Sequence, residues 1–162
     1  MLSELITHCS VSDRDLYFLP IRASNSFPES ISIPSQNFAV FLALDATGLD
    51  HTLISSIALP LLRAGAVYFC CYGPDCERVH DIIDEEIFNL ELEKDSSVIM
   101  TSWHDDETLL DALWFFVFNS FPDNKYFDTC KAGVAISCGN SAWDDQIIDG
   151  LKDLTKNKSS LD

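Results

Sequence analysis

The chain is predicted to be an α/β protein, a three-layer sandwich around a mainly parallel four-stranded sheet of the flavodoxin-like or Rossmann-like kind. Three observations predict it. Four short apolar runs alternate with segments of helical periodicity, the order that parallel strands joined by right-handed crossovers produce. The runs are apolar at consecutive positions, as strands covered on both faces are. Each run also stops at a polar cluster, namely Asp45, Gly73–Glu77, Trp103–Glu107 and Cys138–Asn140. Strands of one direction would gather those clusters on a single edge, where ligands bind in such folds.

The first 36 residues stand apart as an N-terminal extension. Leu16–Ile21 is a candidate extra edge strand, and the Ser/Pro-rich stretch Ala23–Ser35 reads as a loop. The α/β core is expected over residues 37–155 of a single domain spanning 1–162, with residues 156–162 as a frayed tail. Phe38–Leu44 is the first strand. Leu49, Leu53, Ile54, Ile57, Ala58, Leu61 and Leu62 then recur at helical spacing, with Gly65 as the natural C-terminal cap and Pro60 as an expected kink. Ala66–Tyr72 is the second strand. Asp75 suits the N-cap of the next helix, which turns Val79, Ile82, Ile83, Ile87 and Leu90 inward.

Ser97–Ser102 reads as the third strand, followed by a helix from His104 or Asp105 to Asn119. From Leu109 to Phe118 that helix has almost no polar face, so it must be buried all round or docked on a second surface, as in a homodimer. Gly133–Cys138 is the fourth strand. A last amphipathic helix carries Trp143, Ile147, Ile148, Leu151 and Leu154. Of the possible strand orders, 2-1-3-4 is preferred to 3-2-1-4.

A chain of 162 residues, 47% of them hydrophobic, is long enough to bury a core of its own. The charge balance is extreme: 26 acidic residues against 10 basic ones leave a formal charge of −16. Such a field repels phosphate backbones and anionic lipid heads and attracts cationic proteins and metal ions. The expected partner is therefore a basic protein, with neither nucleic acid nor membrane engaged. Met1–Ser12 lacks a basic flank followed by an apolar core, and the apolar stretches fall well short of the ~20 residues of a membrane span, so a cytoplasmic location is expected. The six cysteines then read as reduced thiols, and no Cys-x-x-Cys pair supports a zinc knuckle or a dithiol centre.

Three chemistries are open at the predicted rim. Cys76 at a helix start with His80 one turn later fits a thiol nucleophile and base, although Asp75, Glu77 and Asp81 oppose thiolate formation. His104 and Asp105 are the other catalytic candidates. Cys76, His80, His104 and Cys138, with Asp45 or Asp105, offer mixed ligands that suit zinc, whereas Asp45, Asp75, Asp105 and Asp106 suit magnesium; no cofactor is required by a diagnostic spacing. The competing explanation is that His104 and Asp105 cap their helix and His80 faces solvent. As a binding surface, the same rim presents Asp45, Asp75, Glu77, Trp103, Glu107 and Asn140. Neither a glycine-rich phosphate loop nor a Gly-x-Ser-x-Gly elbow occurs.

The segments Tyr72–Asp81 (YGPDCERVHD) and Thr101–Glu107 (TSWHDDE), continuing to Ala112–Phe115, resemble a family of small acidic bacterial proteins described only as a domain of unknown function. The likeness spans Phe38 to Cys138. It implies a bacterial cytosolic protein in which Cys76, His80, Trp103, His104 and Asp105 belong to a shared pattern, and it implies no activity.

Two functions follow. One is a non-enzymatic interaction protein, such as an immunity or accessory factor in a bacterial conflict or defence system, whose acidic surface neutralises a basic partner. The other is a small metal- or thiol-dependent enzyme working at the sheet edge. The charge and the apolar helix are direct observations while the catalytic set is assembled by inference, so the binding role takes precedence.

Overall fold

The computed structural model describes residues 1–93 and 97–159. Its elements, in chain order, are β1 (Thr7–Cys9), β2 (Arg14–Ile21), β3 (Asn37–Leu44), α1 (His51–Ala64), β4 (Ala66–Tyr72), α2 (Cys76–Asn89), β5 (Met100–Trp103), α3 (Leu109–Asn119), β6 (Cys130–Cys138) and α4 (Ala142–Ser159). The six strands form one sheet ordered β1-β2-β6-β3-β4-β5. Only β1 is antiparallel, to β2; the other pairings are parallel.

The apolar runs become central strands for the reason their composition suggests. Along β3, Phe38, Val40, Leu42 and Leu44 enter one core, while Ala39, Phe41 and Ala43 enter the other. Helices α1 and α2 close the first core through Ile54, Ile57, Leu61, Val79 and Ile83. Helices α3 and α4 close the second through Leu113, Phe116, Ile147 and Leu151. The three layers are therefore helices, sheet, helices.

Several expectations are corrected. The sheet has six strands, because the N-terminal segment supplies two. Leu16–Ile21 belongs to β2, which pairs with β6 along its length and is not an edge; β1 takes that place. Among the four strands expected from sequence, the order is 3-2-1-4 and not 2-1-3-4. Burial explains it: β6 is buried at all but one position and lies mid-sheet, whereas β5, exposed at Met100 and Trp103, lies at the margin.

Helix starts differ too. The third strand is shorter than expected, and α3 begins at Leu109, capped by the Thr108 hydroxyl on the Asp111 N–H, so neither His104 nor Asp105 caps it. Asp75 stands at the N-cap of α2 in a left-handed conformation, but its carboxylate makes no cap bond and pairs with Arg78. Asp50 caps α1, which runs through Pro60 to a left-handed Gly65. Helix α4 extends to Ser159, past the expected fraying point; residues 160–162 lie outside the described residues. Among the described residues, no helix is long and apolar enough to cross a membrane.

Candidate functional site

Parallel pairing brings the C-terminal ends of β2, β3, β4, β5 and β6 to one rim, so the polar exits do share an edge. Arg78 ties two of them together. Its Nε donates to Asp75 Oδ2 at 2.6 Å, and its Nη2 donates to the Ala46 carbonyl at 2.7 Å, while the Ala46 N–H reaches the Pro74 carbonyl. Asp45 turns back on its own loop, accepting from the Thr47 N–H at 3.0 Å.

Between the β4 and β5 exits lies a cleft of about 260 Å3 lined by Tyr72, Gly73, Pro74, Asp75, His104, Asp105 and Glu107. His104 is its buried wall, only 4% exposed, with its ring 4.9 Å from that of Phe115. One ring nitrogen, Nε2, lies 3.0 Å from Ser102 Oγ, and the other, Nδ1, lies 2.9 Å from Glu107 Oε2. Hydroxyl, imidazole and carboxylate thus stand in the order that serine hydrolases use. Ser102, however, does not line the cleft. The row anchors the β5 exit.

Burial keeps the cysteines from solvent. All six are free and buried. Burial pushes the Cys76 thiol up first, with Asp105 and Glu77 adding to the rise and a hydrogen bond from the His104 backbone opposing it. Cys138 is pushed up to about 11 and Cys70 to about 12, in both cases chiefly by burial. Cys76 sits behind the cleft without lining it, and His80 points elsewhere. Among the described residues, no three His, Cys, Asp or Glu side chains come together as a metal site requires, so the four proposed ligands Cys76, His80, His104 and Cys138 are not assembled.

His80 instead belongs to the flank of β5. Its Nδ1 lies 2.9 Å from Asp81 and its Nε2 lies 3.4 Å from Asp84, so it is not a free solvent-facing residue. Its ring packs 4.6 Å from that of Trp103, which is left 42% exposed. Thr101 on the same side donates to Asp84 Oδ1 at 2.7 Å. Asp75, Glu77, Asp81, Asp84, Asp105, Asp106 and Glu107 are all exposed around this corner, and among the described residues Arg78, the cation between them, is already paired with Asp75.

The opposite end of the rim differs. Clefts of about 590 and 490 Å3 lie along the β2 and β6 exits, where Arg22 faces Gly139, Ser141 and Asp144. Neither is lined by a histidine or cysteine. Asn140 is spent on α4, its Oδ1 accepting from the Ala142 N–H at 3.0 Å. On the far helical layer, α3 buries Leu109, Leu113, Phe116 and Val117, which answers most of its apolar content; Leu110 and Trp114 remain as an exposed apolar pair.

The structure therefore joins Asp75, His104, Asp105 and Glu107 at one cleft, buries Cys76 behind it, sets His80 and Trp103 beside it, and leaves Cys138 and Asn140 at another strand exit. Ser102 and Arg78 are rim residues that sequence reasoning missed. The signal for Ser102 was its place on the third strand, two residues before His104; Arg78 carried none, because its partner carbonyl belongs to a distant loop.

A model of the family described as Domain of unknown function (DUF7684) matches residues 17–153. The match begins inside β2 and ends in α4, wider than the Phe38–Cys138 span that the two motifs suggest. No curated protein and no solved structure matches the chain.

Proposed function

The chain belongs to that family of unknown function, and we propose that it is a non-enzymatic acidic interaction protein that binds a basic partner protein, as an immunity or accessory factor of a bacterial conflict or defence system would. One observation carries the reading. Seven exposed carboxylates crowd the corner made by the β4 and β5 exits and α2, with one guanidinium among them already paired. Like charges at that density cost folding stability unless a cation relieves them, and they steer cationic surfaces inward. The thiol-dependent alternative has less support, since Cys76 is buried and its thiol is shifted away from the nucleophilic form.

The test compares two variants of equal charge. One carries Asp81→Asn, Asp105→Asn and Asp106→Asn; the other carries Asp128→Asn, Asp149→Asn and Asp153→Asn, away from this corner. Binding of a hexa-arginine peptide is followed by calorimetry at low and high salt. The corner variant should lose about tenfold in affinity and the control less than about twofold. Equal losses would show attraction by net charge alone and defeat the proposal.

A further inference from the structure

We infer that the basic partner is held as an added strand: an extended segment pairs with the open edge of β5 and lays a cationic side chain on Trp103. This rests on the basic-partner reading above and specifies where and how the partner sits.

The backbone argues for the strand. The His104 N–H donates to the Cys71 carbonyl at 2.9 Å, which turns Ser102 and His104 toward β4 and, by alternation, Thr101 and Trp103 outward. Beyond β5 the sheet has no further strand among the described residues. Below the strand the chain fills the next outward position itself, with Glu93 taking the Ile99 N–H, and Asp123 takes the neighbouring Val98 N–H, both at 3.1 Å. Thr101 and Trp103 are thereby left as the docking register. Open edges invite pairing, and proteins normally blunt them with lysine, proline or bulges. Among the described residues the flank is acidic instead, through Asp81, Asp84 and Glu93. Carboxylates repel a second copy of this chain and admit a cationic segment.

The side chains argue for the cation. Trp103 and Thr101 face the α2 side, where His80 backs the indole and Asp81 and Asp84 hold His80. A residue opposite them on an added strand stands within about 5.5 Å, so an arginine or lysine there reaches the indole face and both carboxylates. Backbone pairing gives the affinity and the aromatic-acid pair gives the selectivity.

The probe is a capped peptide alternating arginine with threonine or valine, titrated against the full chain. Thr101→Pro removes an outward N–H while sparing every bond to β4, and edge strands tolerate proline there. It should weaken the peptide about tenfold or more, and Trp103→Ala about fivefold, with Trp103→Phe intermediate. Peptide N-methylated at alternate residues should fail on one face only, a check that leaves the protein untouched. Unchanged binding by Thr101→Pro and by both methylated peptides overturns strand addition, even if the Asp81, Asp105, Asp106 variant still shows the basic-partner reading to hold. Loss of that variant's effect as well sinks both. A wild-type dimer that Thr101→Pro dissolves would assign the edge to a second copy and overturn the proposal.

Discussion

The Arg14 guanidinium closes the end of α3 on Ser120, donating to its hydroxyl at 2.8 Å and to its backbone carbonyl at 2.7 Å. The first residue of β2 thus holds the last turn of a helix more than a hundred residues away, and its charge meets the negative end of that helix. Arg14 is 3% exposed, and its Nε has no hydrogen-bond partner among the described residues. Arg14→Ala should destabilise the fold by about 2–4 kcal/mol, from the lost charged hydrogen bonds and the space left behind. Urea unfolding with an unchanged slope and a lower midpoint would register it; a shift below about 0.5 kcal/mol would mean the bonds are dispensable.

Gly73 is held at φ +115°, and a Cβ placed there would stand 2.3 Å from the Leu44 carbonyl oxygen. Both atoms belong to backbone at the rim, so neither can rotate away. Gly73→Ala should cost about 2 kcal/mol or more, against a gain of a few tenths at an unstrained site. Equilibrium denaturation of the pair of proteins decides it.

The buried thiols set an alkaline limit. Cys70 and Cys138 move from an ordinary value of 9.0 to about 12 and about 11, and Cys71 moves in the same direction. Above pH 9 the unfolded chain gives up these protons before the folded one does, so the folded state binds more protons and stability falls as pH rises. The contribution is whole below pH 9 and drains away toward pH 11 to 12. Melting temperature should accordingly drop by several degrees from pH 8.5 to 10.5. At pH 8, maleimide should label the native thiols at least about 100-fold more slowly than those of the denatured chain.

Trp103 reports the local field. A cationic quencher should reach it more readily than an anionic one, because the acids around β5 concentrate one and exclude the other. Subtracting the fluorescence of Trp103→Phe isolates its contribution from those of Trp114 and Trp143. Caesium should quench that difference signal several-fold more than iodide in dilute buffer, and about 0.5 M inert salt should narrow the gap. Equal quenching by the two ions would place Trp103 outside the acidic field.

Much of the fold was legible because each strand advertises itself. Phe38–Leu44 and Ala66–Tyr72 are apolar at every step, and Gly65 stops the helix between them, all within a few residues of sequence. The third strand was less legible: Ser97–Ser102 is mixed in polarity because it ends up at the sheet's margin, half-covered. The site was read in part. His104 and Trp103 were found because they sit at a strand exit, but their neighbours Ser102, His80 and Arg78 take roles that depend on which loop or helix lies alongside.

Local composition determined the alternation of strands and helices, the common direction of the core strands and the strong negative charge, since each is a property of a short segment or of the whole count. Only the tertiary structure decided that β6 lies between β2 and β3, that Arg14 reaches Ser120, and that Cys76 is a buried thiol rather than a reactive one. Several strand orders would cover the same apolar faces, and the acidity of a side chain depends on the water and charge around it; both are settled by contacts between residues far apart in the chain.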